Sequence, residues 1–194
     1  MSRRQSSIPA RYFDDLYAGE RDPWEFETSA YEQAKYDATL AALPRPQYRR
    51  GLEIGCSIGV LTARLAGRCA SLVAVDVSEK ALDAAHMRCR TLPNVAFEIM
   101  RVPAEWPLGT FDLIMLSEVV YYLDAGDVSR LADRVRASVE PGGHVLLVHW
   151  TGTTDYPLSG DDAAELFMTA LGRSARRIRQ QRTHAYRLDA LALP

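Results

Sequence analysis

Short, nearly continuous apolar runs alternate with helical patterns along most of the chain. The runs fall at residues 52–55, 72–75, 95–99, 111–117 and 144–150. Between them, 60–66, 79–90 and 125–139 read as helices. The last carries Val128, Leu131, Ala132, Val135 and Val139 on one stripe. Pro141-Gly142-Gly143 is expected to end it. Apolar strands alternating with helices predict an α/β fold whose parallel sheet is covered on both faces. Past the fifth strand, 161–171 reads as a helix. Residues 175–182 and 186–193 read as an antiparallel hairpin at the sheet edge.

Ahead of the alternating region the pattern is looser. Residues 1–8 are polar and expected to be disordered, and 9–17 suit a short helix. Asp22-Pro23 marks a turn in the loop 18–24. Trp24 and Phe26 stand out in that loop, and they either plug it onto the core or cover a ligand. Residues 31–43 have helical spacing at positions 31, 34, 38, 41 and 42, and this helix either caps the sheet's open edge or lids its upper end. No internal repeat or linker interrupts the pattern. A single domain over 1–194 is expected, with 9–48 as a helical cap and 49–194 as the core.

The chain of 194 residues is 47% hydrophobic, enough for a sizeable core. Its net charge of -2 leaves no general basic surface for nucleic acid, and the arginine-rich run from 173 to 182 reads as a solvated face. Three cysteines form no Cys-x-x-Cys pair, which argues against a metal site or disulfide framework and for a reducing compartment. No apolar run is long enough to span a bilayer. The N-terminal residues lack the apolar stretch of a secretory leader, so a cytoplasmic location is expected.

The stretch 51–62 carries the candidate chemistry. A short apolar strand runs into a turn containing Gly55, Ser57 and Gly59, and a helix follows. Asp76 ends the next strand about 20 residues on, where an acid can accept hydrogen bonds from a ribose diol. Glycine lets the turn approach a ligand closely. The turn reads Gly-x-Ser-x-Gly, without the third glycine of a pyrophosphate-binding loop, which disfavours a nicotinamide dinucleotide. Glu53 inside the strand suits a ligand with a cationic or amino group better than a diphosphate. Ser78 is the expected N-cap of the following helix, leaving Asp76 free for a ligand. Ligands of open parallel sheets bind beyond the carboxyl ends of the strands. That rule brings residues 101–105, 117–122 and 149–155 to the same end, and sends His144 to the other.

Glu53-Ile-Gly-Cys-Ser-Ile-Gly59, Val75-Asp76, the stretch 111–123 and Pro141-Gly-Gly-His-Val-Leu-Leu147 together resemble the class I S-adenosylmethionine-dependent methyltransferases over roughly residues 20 to 185. Asp22-Pro-Trp24, Leu52-Glu-Ile-Gly-Cys56 and Ser117-Glu-Val-Val-Tyr-Tyr-Leu123 are most similar to the nodulation protein S (NodS) group within them. The resemblance implies a Rossmann-like seven-stranded, mostly parallel sheet with an antiparallel C-terminal hairpin strand and helices on both faces. It implies S-adenosylmethionine as methyl donor, with S-adenosylhomocysteine as product. Gly55, Ser57 and Gly59 would border the methionine part, with Glu53 beneath it. Asp76 would hold the ribose and Val77 the adenine. Val102 and Pro103 would flank the base, and Ser117 and Glu118 would sit beside the sulfonium and the acceptor. Where the family often places an acid for the adenine amino group, this chain reads Met100-Arg-Val-Pro103. Backbone groups, or Glu105 reaching back, would then serve.

The implied reaction is N-methylation of an amine on a small-molecule or saccharide acceptor, as the group's namesake performs on a deacetylated chitooligosaccharide. O-methylation of a hydroxylated small molecule and a non-catalytic nucleoside-binding module are the competing readings. An attacking amine must be neutral, and Glu118 or His149 is the expected base, with Tyr121 also at the right end of the sheet. Trp24 would cover the cofactor or stack on a sugar ring. Neither nucleic acid nor membrane is an expected partner, no metal is implied, and the chain is expected to be a monomer or homodimer.

Overall fold

The structure is a computed structural model describing residues 3–173 and 175–194. The elements run α1 (Ala10–Gly19), α2 (Ala30–Ala41), β1 (Tyr48–Ile54), α3 (Val60–Leu65), β2 (Cys69–Asp76), α4 (Glu79–Arg88), β3 (Val95–Ile99) and β4 (Phe111–Ser117). They continue through α5 (Ala125–Ser138), β5 (Val139–Trp150), α6 (Gly160–Leu171), β6 (Arg176–Arg182) and β7 (Tyr186–Ala192). The strands form one sheet in the order β3-β2-β1-β4-β5-β7-β6. Strands β1 to β5 are mutually parallel, and β7 runs antiparallel to both β5 and β6. This is the expected α/β sheet.

β4 shows why the central strands read as unbroken apolar runs: every residue from Phe111 to Ser117 is buried. Alternate side chains face opposite sides of the sheet. Ile114 and Leu116 join a core with Val128, Leu131 and Val135 of α5 and Phe167 of α6. Leu113 and Met115 join a second core with Leu61 and Leu65 of α3 and Tyr36 of α2. The edge strand β6 reads Arg-Arg-Ile-Arg-Gln-Gln-Arg and is mostly exposed, and charge of this kind discourages pairing with another chain's edge.

Three expectations are corrected. Pro141-Gly142-Gly143 does not separate α5 from a later strand, because β5 already starts at Val139, paired with Phe111. The register shifts between Phe111 and Leu113, and Gly142 takes a left-handed φ of 72° there, so the glycines accommodate an irregular strand start. Residues 3–8, expected to be disordered, are tied down. The Ile8 N–H donates to the Tyr122 carbonyl at 2.8 Å, the Arg4 N–H to the Asp155 carbonyl at 2.9 Å, and Ile8 is buried. Residues 1 and 2 lie outside the described residues. Finally, the inner face of α2 is Glu32, Lys35, Tyr36 and Thr39 rather than the stripe through 31, 34 and 38. The spacing is still helical, but the helix is turned by about one residue. Glu32, Lys35 and Tyr36 on that face line a cavity beneath the helix. Of the two roles weighed for this helix, the lid over the upper end is the one that the geometry matches.

Candidate active site

β1 and β4 are neighbours in the sheet, and the chain leaves β1 toward β2 on one side and β4 toward β5 on the other. Such a reversal opens a crevice at the carboxyl ends of the strands. After Ile54 the chain turns through Gly55 and Ser57, with φ of 76° and 51°. A Cβ on Gly55 would approach the Val119 Cβ to 3.3 Å, so glycine is set here both by its backbone and by the neighbouring strand's exit loop. Gly59 serves differently. It is the N-cap of α3, its Cβ would meet Ala85 of α4 at 3.0 Å, and it does not line the cavity. It sets helix packing, which corrects its assignment to the ligand.

Asp76 fastens the turn. Its Oδ2 accepts the Ser57 N–H at 2.8 Å and its Oδ1 the Ser78 N–H at 3.0 Å. Burial raises its carboxyl above the usual range, and these backbone donors pull it back. Ser78 is the N-cap of α4, as expected, but its hydroxyl makes no cap bond. A carboxylate accepts up to about four hydrogen bonds, so Asp76 keeps lone pairs for a diol. Glu53 is 1% exposed with its Oε2 unpartnered, and burial pushes its carboxyl up to about 8. An orphaned buried acid oxygen fits a ligand with a cationic group.

A cavity of about 540 Å³ starts at this turn. Glu53, Gly55 and Ser57 line it from β1 and its turn, with Asp76 and Val77 at the end of β2. Val102 and Pro103 wall it from beyond β3, and Ser117, Glu118 and Tyr121 from the end of β4 and the loop after it. Glu105 does not reach it. Its Oε2 accepts the Arg101 N–H at 2.6 Å and closes the loop after β3 instead. From the N-terminal region come Trp24 and Phe26, stacked at 5.5 Å, with Tyr17 edge-on to Trp24 at 5.7 Å. Asp22 builds this corner by accepting the Phe26 and Glu27 N–H groups, each at 2.8 Å. Trp24 and Phe26 therefore both pack on the core and form a wall of the cavity.

Beyond β4, Glu118 takes a left-handed φ of 57°. Its Oε2 accepts the Tyr121 hydroxyl at 2.7 Å and the Trp150 N–H at 2.8 Å, and its Oε1 accepts Lys35 Nζ at 2.5 Å. Burial alone would raise its carboxyl, but Lys35 and these donors hold it below the usual range. His149, the other expected base, is corrected. It is 1% exposed and absent from the cavity wall. Its Nε2 accepts the Val120 N–H at 3.2 Å, and burial lowers its imidazole to about 4. The alternation of β5 turns this side chain into the protein, where it holds the loop after β4.

Sequence reasoning passed over Tyr17, Glu32 and Lys35, all on the cavity wall. Tyr17 carried no signal beyond a short amphipathic helix. Glu32 and Lys35 lie off the apolar spacing by which this helix is recognised. Among the described residues, no group of acidic, histidine and cysteine side chains suits a metal ion.

A doubly wound sheet with an antiparallel seventh strand, and a glycine turn fastened by an acid at the end of β2, define the Rossmann-like fold of class I methyltransferases. The chain belongs to the nodulation protein S (NodS) family, whose model matches residues 14–141. It is 28% identical to the nodulation protein S of Rhizobium tropici over 127 residues, 64% of this chain and 53% of that protein. The chain spans about half the length of the curated NodS relatives it matches, between 49% and 59%. A candidate methyltransferase from Pseudomonas syringae is 38% identical, with a TM-score of 0.75 over 84% of this chain and 99% of that one. The N-methyltransferase NodS from Bradyrhizobium japonicum WM9, crystallised with S-adenosyl-L-homocysteine, shares the fold at 22% identity. Its TM-score is 0.81 over 95% of this chain and 98% of that one.

Proposed function

We propose that this protein is an S-adenosylmethionine-dependent methyltransferase that N-methylates an amine of a small-molecule or saccharide acceptor. One observation carries the reading: a single cavity joins the Gly55–Ser57–Asp76 cradle to the Glu118 carboxylate. It therefore has a nucleoside end and a polar, acidic end. The bound donor supplies a methyl group already activated on a sulfonium, so the protein's work is alignment and exclusion of water.

Asp76 and Val77 hold the ribose and adenine end, Val102 and Pro103 flank the base, and the close approach at Gly55 seats the methionine portion above Glu53. Trp24, Phe26 and Tyr17 cover the cradle and keep water out. Glu118 is the acidic group that faces the acceptor. It is ionised and fixed by Lys35, Tyr121 and the Trp150 N–H, so it orients a hydrogen-bond donor without rearranging. A carboxylate held this low is a weak base, and the amine proton leaves to water. NodS membership supports nitrogen over oxygen as the acceptor atom. The three cysteines are free and buried, which supports a reducing, cytoplasmic setting. No helix among the described residues is long and apolar enough to cross a membrane.

Calorimetry with S-adenosylhomocysteine tests the cradle, and absence of binding defeats the proposal. A mass-shift assay on amine and phenol panels then separates N-methylation from O-methylation. Binding without transfer to either panel returns the non-catalytic module.

A further inference from the structure

The acidic end of the cavity is out of charge balance. Glu32 and Lys35 stand one turn apart on α2. Lys35 Nζ lies 2.9 Å from Glu32 Oε1 and 2.5 Å from Glu118 Oε1, so two carboxylates share one ammonium. Lys35 is 2% exposed and Glu32 7%, and all three residues line the cavity. Glu118 already accepts three donors, whereas Glu32 Oε2 meets none.

The charged and titratable groups around Glu32 come from every neighbouring element. They are Tyr31, Lys35 and Tyr36 on α2, Asp22 in the preceding loop and Glu118 beyond β4. Only Lys35 among them is a cation. An unpaired negative charge in a cavity wall is unfavourable unless a positive partner arrives. Burial accordingly lifts the Glu32 carboxyl above its usual range. The wall beside the cluster also presents Tyr31, whose ring faces Lys35, and Trp150, both partly exposed and suited to a ring-bearing ligand.

We infer that Glu32 is a specificity residue: it selects an acceptor carrying a protonated amine, whose ammonium completes the Glu32–Lys35–Glu118 cluster before the amine is deprotonated for attack. The inference rests on the methyltransferase reading above. It adds a residue and a charge state, so that recognition is of the cation and precedes the chemistry.

The test uses protein loaded with S-adenosylhomocysteine, which has no sulfonium charge of its own. Two isosteric pairs, benzylamine with benzyl alcohol and glucosamine with glucose, are titrated by calorimetry near neutral pH. In the wild type at least one ammonium compound binds about tenfold or more tighter than its hydroxyl partner, the size expected of a hydrogen bond to a charged group. In Glu32→Gln that preference disappears while S-adenosylhomocysteine affinity is retained. Equal or absent binding of amine and alcohol in both pairs overturns the inference without needing a variant that folds. So does a preference that survives in Glu32→Gln. A loss in that variant confined to S-adenosylmethionine against S-adenosylhomocysteine also overturns it, by assigning the charge to the donor's sulfonium. Failure of the wild type to bind S-adenosylhomocysteine is a different result and removes the underlying reading.

Discussion

The Tyr17 hydroxyl of α1 lies 2.5 Å from Ser57 Oγ, joining the N-terminal helix to the turn after β1 across 40 positions of chain. The helix is thereby part of the cradle. Burial and the nearby Asp76 push the Tyr17 phenol well above its usual range, so it stays protonated and neutral. Tyr17→Phe keeps the ring against Trp24 and removes only the hydroxyl. S-adenosylhomocysteine affinity is expected to fall by about three- to tenfold, within the span of one neutral hydrogen bond. Unchanged affinity by calorimetry would mean that the turn holds its shape unaided.

Asp76→Asn tests the fastening itself. Asparagine presents one acceptor and one donor where the chain offers two backbone donors, so either the Ser57 or the Ser78 N–H loses its partner. The cost is expected to be about 1–3 kcal/mol of stability, read from denaturant unfolding. S-adenosylhomocysteine affinity is expected to fall at least as much, because the turn and the diol share this carboxylate. A loss of stability with full affinity would restrict Asp76 to holding the turn.

Much of the fold was legible because its strands are buried on both faces and leave unmistakable apolar runs. The turn at Gly55 and the acid at Asp76 were legible because backbone geometry demands particular residue types there. The acceptor end was not. Lys35 meets Glu118 across 83 positions, and no local pattern records such a pair. Polar residues on an amphipathic helix read as solvent-facing unless the cavity beneath is known. His149 misled for the opposite reason. Its position at the end of β5 was right, but strand alternation hides which way a side chain points until the register with β4 and β7 is fixed.

Glu53 gives the donor end a pH signature. Its carboxyl is raised to about 8 by burial, so most of it is protonated at neutral pH and ionises as the pH climbs. The ionised form attracts the α-ammonium of the ligand. S-adenosylhomocysteine affinity is therefore expected to rise between about pH 6 and 8, and Glu53→Gln is expected to flatten the profile. Titrations at several pH values measure this, and identical slopes in both proteins would remove Glu53 from contact with the ligand's charge.

His149 is expected to affect stability rather than turnover. Its folded value of about 4 lies below the ordinary 6.5, so its contribution is complete above about pH 6.5 and is lost as the pH falls toward 4. The shift corresponds to at most about 3 kcal/mol. His149→Gln, which can still accept the Val120 N–H, should lose less stability than the wild type over that acid range. Thermal melts from pH 7 down to about 4 compare the two. A pH-rate break near neutrality that vanishes in the variant would reinstate the histidine as a base.

The non-glycine residues that take left-handed backbone among the described residues are Glu25, Ser57 and Glu118. Ser57 and Glu118 line the cavity, and Glu25 sits between the two aromatic residues of its wall, Trp24 and Phe26. Each such residue costs stability that glycine would not, of order 1 kcal/mol. Glycine at Glu25, which is exposed, is thus a route to a hardier fold. At Glu118 it would leave buried Lys35 and the Tyr121 hydroxyl without their partner, and at Ser57 it would release the Tyr17 hydroxyl, so at those two positions the side chain outweighs the strain beneath it. A library screened for thermal robustness should therefore accept glycine at Glu25 and keep Ser57 and Glu118.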